Sequence, residues 1–214
     1  MQEESIVEQK IIIAKDKVRN FYNKNKLFIF CSLLVLIVVF LTMGYYLHSK
    51  EKKRLLLADL YIQAQIDLNN EKKNVAKNTL VKIIKSNDET YSTLSLFLLV
   101  NDNLIENDEK LTKLFDHVLN NNKFEKEIRN LIILKKAFIQ SNFASETQLL
   151  EALGPLINSE TLWKSHALLL LGDYFFAKGE IFKANENYLK ILSLANLDNL
   201  HEQARYRLEL GSNE

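Results

Sequence analysis

The chain has 214 residues, 47% hydrophobic and 26% charged, with only five glycines and one proline. So few turn-forming residues exclude a fold rich in strands and tight turns and leave an all-α chain as the expectation. A formal net charge of +1 supplies no field to gather nucleic acid, and the single cysteine excludes an intramolecular disulfide.

The first predicted element is a basic leader, residues 1–26. In "SIVEQKIIIAKDKVRNFYNKNK" the residues Ile11, Ala14, Val18, Phe21 and Tyr22 recur at helical spacing with lysines between them. Such a helix either lies against anionic headgroups or serves only as a flank that stops translocation, and the residues leave both readings open.

The second element is "LFIFCSLLVLIVVFLTMGYYL", residues 27–47, which contains no Asp, Glu, Lys, Arg or His. Its 21 residues at about 1.5 Å each match the roughly 30 Å hydrocarbon core of a bilayer. Fourteen of them are Leu, Ile, Val or Phe, which favours insertion by about 4 to 8 kcal/mol before the polar residues count against it. Leu27, Phe28, Leu34, Ile37 and Phe40 are anchor residues of this transmembrane helix, and Tyr45, Tyr46 and Leu47 stand where an interfacial aromatic belt is expected. A cleaved signal peptide would have a shorter apolar core and a small-residue cleavage site, which "TMGYYLHSK" does not offer. Cys31 lacks the small residues before it that a lipoprotein signal needs, so it reads as a lipid-facing or packing residue.

Lys10, Lys15, Lys17, Arg19, Lys24 and Lys26 precede the span, whereas Lys50, Lys52, Lys53 and Arg54 follow it. The positive-inside bias therefore points to a cytosolic N-terminus by six charges to four, with the long C-terminal part translocated.

The third element, residues 48–214, reads as helix after helix. The polar breaks "NNEKK", "KSNDET", "NLIENDE", "LNNNKFEK" and "QSNFASE" have the length that joins antiparallel helices. Their asparagines offer left-handed stops, and their Ser and Asp residues offer N-caps.

Near the end, Leu171-Gly172-x-x-Phe175 followed by Ala184-x-x-x-Tyr188 reproduces the order and spacing of a tetratricopeptide repeat, a helix-turn-helix unit of 34 residues. Gly172 and Ala184 are expected where the two helices touch, and Gly179 at the turn between them, where positive φ is inexpensive only for glycine. Sliding the set Ala184, Tyr188, Ile191, Leu192 backwards gives Glu146, Leu150, Leu153, Gly154, then Leu111, Phe115, Val118, Leu119, then Ala76, Leu80, Ile83, Ile84, with offsets of 38, 35 and 35 residues. The pattern predicts four degenerate repeats forming a helical-hairpin solenoid. The stretch "DNLHEQARYRLELG", with Leu200, Ala204 and Leu208, is expected to be the capping helix.

The sequence supports no catalytic, cofactor or metal site. His48, His117, His166 and His201 stand far apart, and the glycines at 44, 154, 172, 179 and 211 form no phosphate loop. A non-enzymatic protein with no cofactor and no small-molecule substrate is the expectation. Recognition in a helical-hairpin solenoid uses the first helix of each repeat. Helical spacing places His166, Leu169, Asp173 and Phe176 along one side of the last of these, where they would either hold a peptide segment or, for Leu169 and Phe176, pack against a neighbouring repeat. Trp163 is expected to anchor adjacent repeats.

The leader "VRNFYNKNK" directly before a single span, "TYSTLSLFLLV" at residues 90–100, and "WKSHALLLLGDYFFAKGEIFKANENY" with Gly172, Asp173, Lys178, Gly179 and Glu180 resemble the ancillary SecYEG translocon subunits. These are bacterial inner-membrane proteins with a tetratricopeptide-like periplasmic domain. The resemblance implies a periplasmic C-terminal domain that associates with the Sec translocon and with periplasmic chaperones, with exported polypeptides as cargo. A membrane-anchored scaffold for envelope assembly or cell division would share the architecture with another partner.

Overall fold

The structure, a computed structural model, describes residues 2–194 and 199–212. The described residues contain nine helices and no strand: α1 (Gln2–Asn69), α2 (Lys73–Ile84), α3 (Glu89–Asn101), α4 (Asp108–Asn121), α5 (Lys126–Gln140), α6 (Glu146–Ile157), α7 (Lys164–Ala177), α8 (Ile181–Leu192) and α9 (Asn199–Ser212). Two compact units divide the chain, Met1–Leu56 and Leu57–Glu214.

In the first unit α1 is interrupted once, at Asn25, whose φ of −114° and ψ of 15° leave the helical region. The Asn25 side chain donates from Nδ2 to the Phe21 carbonyl at 3.0 Å. A short amide that competes for backbone groups accounts for a break at this residue. Beyond it the apolar segment presents its described side chains outward, and Thr42 Oγ1 donates back to the Val38 and Val39 carbonyls, each at 3.0 Å. Its hydroxyl is thus satisfied within the helix. One helix among the described residues is long and apolar enough to cross a membrane. Phe21 and Tyr22 are exposed; the side chains of Ile11, Ala14 and Val18 lie outside the described residues.

In the second unit, residues 57–69 of α1 put Leu57 and Ala64 into one core with Ala76 and Leu80 of α2. From α2 onward each helix packs on the next, and α5 also touches α7, as α7 touches α9. That alternation is what stacked helical hairpins produce. Two hydrophobic cores result and share α5, which gives Ile132 and Ile139 to the first and Ala137 to the second. Leu200 and Ala204 of α9 close the second core, with Leu208 packed against it, so α9 is the capping helix; Asp198, just before it, lies outside the described residues.

The breaks between helices use local chemistry. Asp88 accepts from the Thr90 and Tyr91 amides at 3.1 and 2.9 Å, Asn107 accepts from the Lys110 amide at 2.7 Å, and Ser145 with Gln148 forms a capping box. Asn87 and Asn103 adopt φ of 58° and 48°, the left-handed stops anticipated for asparagine. In "NNEKK", however, it is Glu71 that turns left-handed, with φ 61°.

The repeat register differs from the sequence pattern in one helix. Helices α2, α4 and α8 bury Ala76, Leu80 and Ile83; Leu111, Phe115 and Val118; and Ala184, Tyr188 and Ile191. Helix α6 instead buries Leu149, Leu153 and Leu156, with Ile157 packed against the same core, rather than the set Glu146, Leu150, Leu153, Gly154. The steps from Ala76 to Leu111, Leu149 and Ala184 are therefore 35, 38 and 35 residues. Glu146 is the first residue of its helix after the N-cap Ser145 and pairs at the surface with Lys183 at 2.9 Å.

Candidate functional site

The last repeat is where the fold brings polar and apolar groups together on one side. Gly172 and Ala184 lie at the contact of α7 with α8. A Cβ built on Gly172 would sit 2.8 Å from Tyr188 Cδ1 and closer still to Cε1, while Ala184 and Tyr188 are fully buried. Leu171 and Phe175 belong to the same core. Gly179 turns the chain between the helices with φ 76° and open space where a side chain would be.

Because α7 lies so close to α8, the Tyr188 ring lies against Gly172 and its hydroxyl reaches the neighbouring Asp173. There it donates to Oδ1 at 2.9 Å. Arg207 of α9 grips the same carboxylate with two donors: Nε contacts Oδ1, and Nη2 donates to Oδ2 at 3.0 Å. A bidentate guanidinium–carboxylate pair fixes both position and orientation. Burial, then the Asp173 hydrogen bond and charge, raise the Tyr188 phenol above its ordinary value. The Asp173 hydrogen bond likewise raises Arg207, against a smaller lowering by burial.

Asp173, Phe176, Tyr188, Tyr206, Arg207 and Leu210 line an open groove of about 280 Å³ between α7 and α9. The four residues that helical spacing aligns on α7 are thus divided. Asp173 and Phe176 line the groove, Asp173 with its carboxylate already held by Arg207 and Tyr188. Leu169 packs against the second core, as Phe176 also does. His166 is exposed near the start of α7, its ring 5.4 Å from that of Trp163.

Tyr206, Arg207 and Leu210 were missed by sequence reasoning, which treated α9 only as a cap. A signal was present: Arg207 follows Asp173 by 34 residues, one repeat period, so the two occupy equivalent heights on successive first-position helices. The same spacing recurs one repeat earlier. Thr161 Oγ1 donates to Glu127 Oε2 at 2.7 Å, and Lys126 donates to the Glu160 carbonyl at 2.7 Å, each across 34 residues. Trp163 Nε1 donates to the Glu127 carbonyl at 2.9 Å. These bonds tie the start of α7 to the start of α5.

Large apolar side chains are exposed on several helices of both positions, among them Val75 of α2, Leu150 of α6 and Phe182 of α8. Leu94 of α3, Ile128 and Phe138 of α5, and Tyr206 and Leu210 of α9 are all exposed, Phe138 at 60% and Tyr206 at 59%. Lys135 of α5 lies over the Phe97 ring of α3, 5.8 Å from its centroid, which places positive charge beside that ring. Among the described residues no group of three His, Cys, Asp or Glu side chains is gathered to hold a metal ion.

The family model for the tetratricopeptide repeat-like domain matches residues 19–209. No curated protein and no solved structure matches the chain.

Proposed function

This chain belongs to the tetratricopeptide repeat-like domain family, and on that premise we propose that it is a membrane-anchored module that holds other polypeptides beside a bilayer. Domains of this family typically mediate protein–protein interaction and are not enzymes. One observation carries the reading: the match at residues 19–209 takes in both the apolar helix and the repeats, so tether and binding module form one unit of sequence. Exposed apolar and aromatic side chains such as Phe138 of α5 and Tyr206 of α9 suit extended or helical segments of partners, with Lys135 of α5 near Phe97 for acidic residues.

Tethering gives such a surface its effect. A partner held within reach of a short linker meets the site at an effective concentration in the millimolar range, so modest affinity suffices. We further propose that residues 1–26 are cytosolic, that residues 48–214 lie in the periplasm of a bacterial inner membrane, and that the partners are the Sec translocon, periplasmic chaperones and emerging exported chains. The resemblance of the leader, of residues 90–100 and of the last repeat to ancillary translocon subunits supports this assignment. Crosslinking in native membranes, followed by purification of the full chain and identification of what comes with it, should recover translocon components. Recovery of envelope-assembly or division proteins without them would refute the translocon assignment. In spheroplasts, added protease should degrade the C-terminal domain that intact cells protect; protection in both would place the domain in the cytosol.

A further inference from the structure

The break at Asn25 does more than end the leader. Beside it lies a groove of about 570 Å³ lined by Tyr22, Asn23, Lys24, Lys26, Leu27, Phe30 and Leu33. Its lining is graded along the helix: a phenol, an amide and two ammonium groups at one end, three large apolar side chains at the other. Beyond the break, Lys26, Phe30 and Leu33 follow one another at steps of four and three residues, which keeps them on one face. The change from cationic to apolar falls between Lys26 and Leu27, where the segment read as membrane-spanning begins.

Depth agrees with chemistry. From Leu27 to Leu33 a helix rises about 9 Å, which stays within one leaflet of the roughly 30 Å hydrocarbon core. The polar end of the groove therefore stands at headgroup level and its apolar end alongside the acyl chains of one leaflet. At the polar end the Asn25 side chain donates to the Phe21 carbonyl.

We propose that this groove is a binding site for a single anionic phospholipid, its phosphate between Lys24 and Lys26 and an acyl chain along Leu27, Phe30 and Leu33. The proposal rests on the reading that residues 27–47 cross the membrane. Charge complementarity selects an anionic over a zwitterionic head, and the graded lining selects a lipid over a soluble phosphate.

The test uses the full chain in detergent, titrated with phosphatidylglycerol or phosphatidylcholine and read by native mass spectrometry, alongside alkaline carbonate washing of membranes. The chain should resist the wash and retain phosphatidylglycerol preferentially. With each near-surface lysine contributing about a fivefold preference, K24Q/K26Q should lower it at least tenfold while still resisting the wash. K50Q/K52Q, outside the groove, should lower the preference clearly less, and glycerol phosphate should not displace the lipid. Equal retention of the two lipids by the unaltered chain would overturn the site, as would equal loss in the two double variants or displacement by glycerol phosphate. Extraction of the unaltered chain by carbonate would overturn the membrane reading itself, an outcome the lipid titration cannot imitate.

Discussion

Replacing Gly172 with alanine sets a methyl carbon against the ring of Tyr188, which is fully buried. Overpacking of this kind costs about 1 to 3 kcal/mol. Urea unfolding followed by Trp163 fluorescence should show that loss, and Tyr188→Leu in the same chain should make the two changes clearly less than additive. Gly179→Ala meets no neighbour but must hold φ at 76°, so its cost should be about 1 kcal/mol from backbone strain alone. The Tyr188 hydroxyl yields a pH prediction. Its pKa is raised in the folded chain, first by burial and then by Asp173, so the folded state keeps a proton that the unfolded state releases above about pH 10. The associated stability is complete below that pH and declines as pH rises beyond it, by at most about 1.4 kcal/mol per pH unit. Tyr188→Phe should flatten the decline between pH 10 and 12; an unchanged slope would mean that this phenol is not the group responsible. The roles of both glycines could be read from spacing. The Tyr188–Asp173–Arg207 linkage could not, because a hydrogen bond depends on how closely α7 and α8 approach, which composition does not set.

At the scale of single helices, the register of α6 separates packing from pattern. The segment "ETQLLEALGPLI" offers adjacent leucines at 149 and 150, so an i, i+4, i+7, i+8 template fits it in two ways when only neighbouring periods guide the choice. Packing resolves the ambiguity: the Ser145 capping box starts the helix at Glu146, and the core takes Leu156 and Ile157 rather than Gly154. Leu149 is fully buried and Leu150 is 40% exposed. Leu149→Ala should therefore cost about 2 to 5 kcal/mol, whereas Leu150→Ala should change stability by less than about 1 kcal/mol; equal costs in urea unfolding would restore the slipped register. Helix α9 supplies a second test. Its two-pronged Arg207 contact is of the geometry that makes a partly exposed ion pair count. Arg207→Ala should speed amide exchange through residues 199–212 and leave α2 and α4 unchanged. In sequence, α9 was legible as a cap from Leu200, Ala204 and Leu208, yet its outward residues Tyr206 and Leu210 gave no periodic sign of a groove.

Across the whole molecule a long apolar helix precedes a repeat stack with two cores. A helix long and apolar enough to cross a membrane was legible because 21 residues without a charge match the thickness of a bilayer core. The stack was legible because each second-position helix repeats one apolar set. Its division into two cores was not, since that depends on how α5 distributes Ile132, Ile139 and Ala137 between its neighbours. Stability in such arrays spreads mainly between adjacent repeats. Phe115→Ala, a fully buried ring in the first core, should thus lower exchange protection in α2 to α4 well before α8 and α9; uniform loss across both halves would show one cooperative core. The proposed binding surface offers the most direct test. A photocrosslinking residue placed at Phe138 or Tyr206, on the exposed side of the first-position helices, should capture exported polypeptides and translocon components in living cells, while the same probe at Lys113 or Asn120 of α4 should not. Equal capture from both sets of positions, or none from either, would contradict the account.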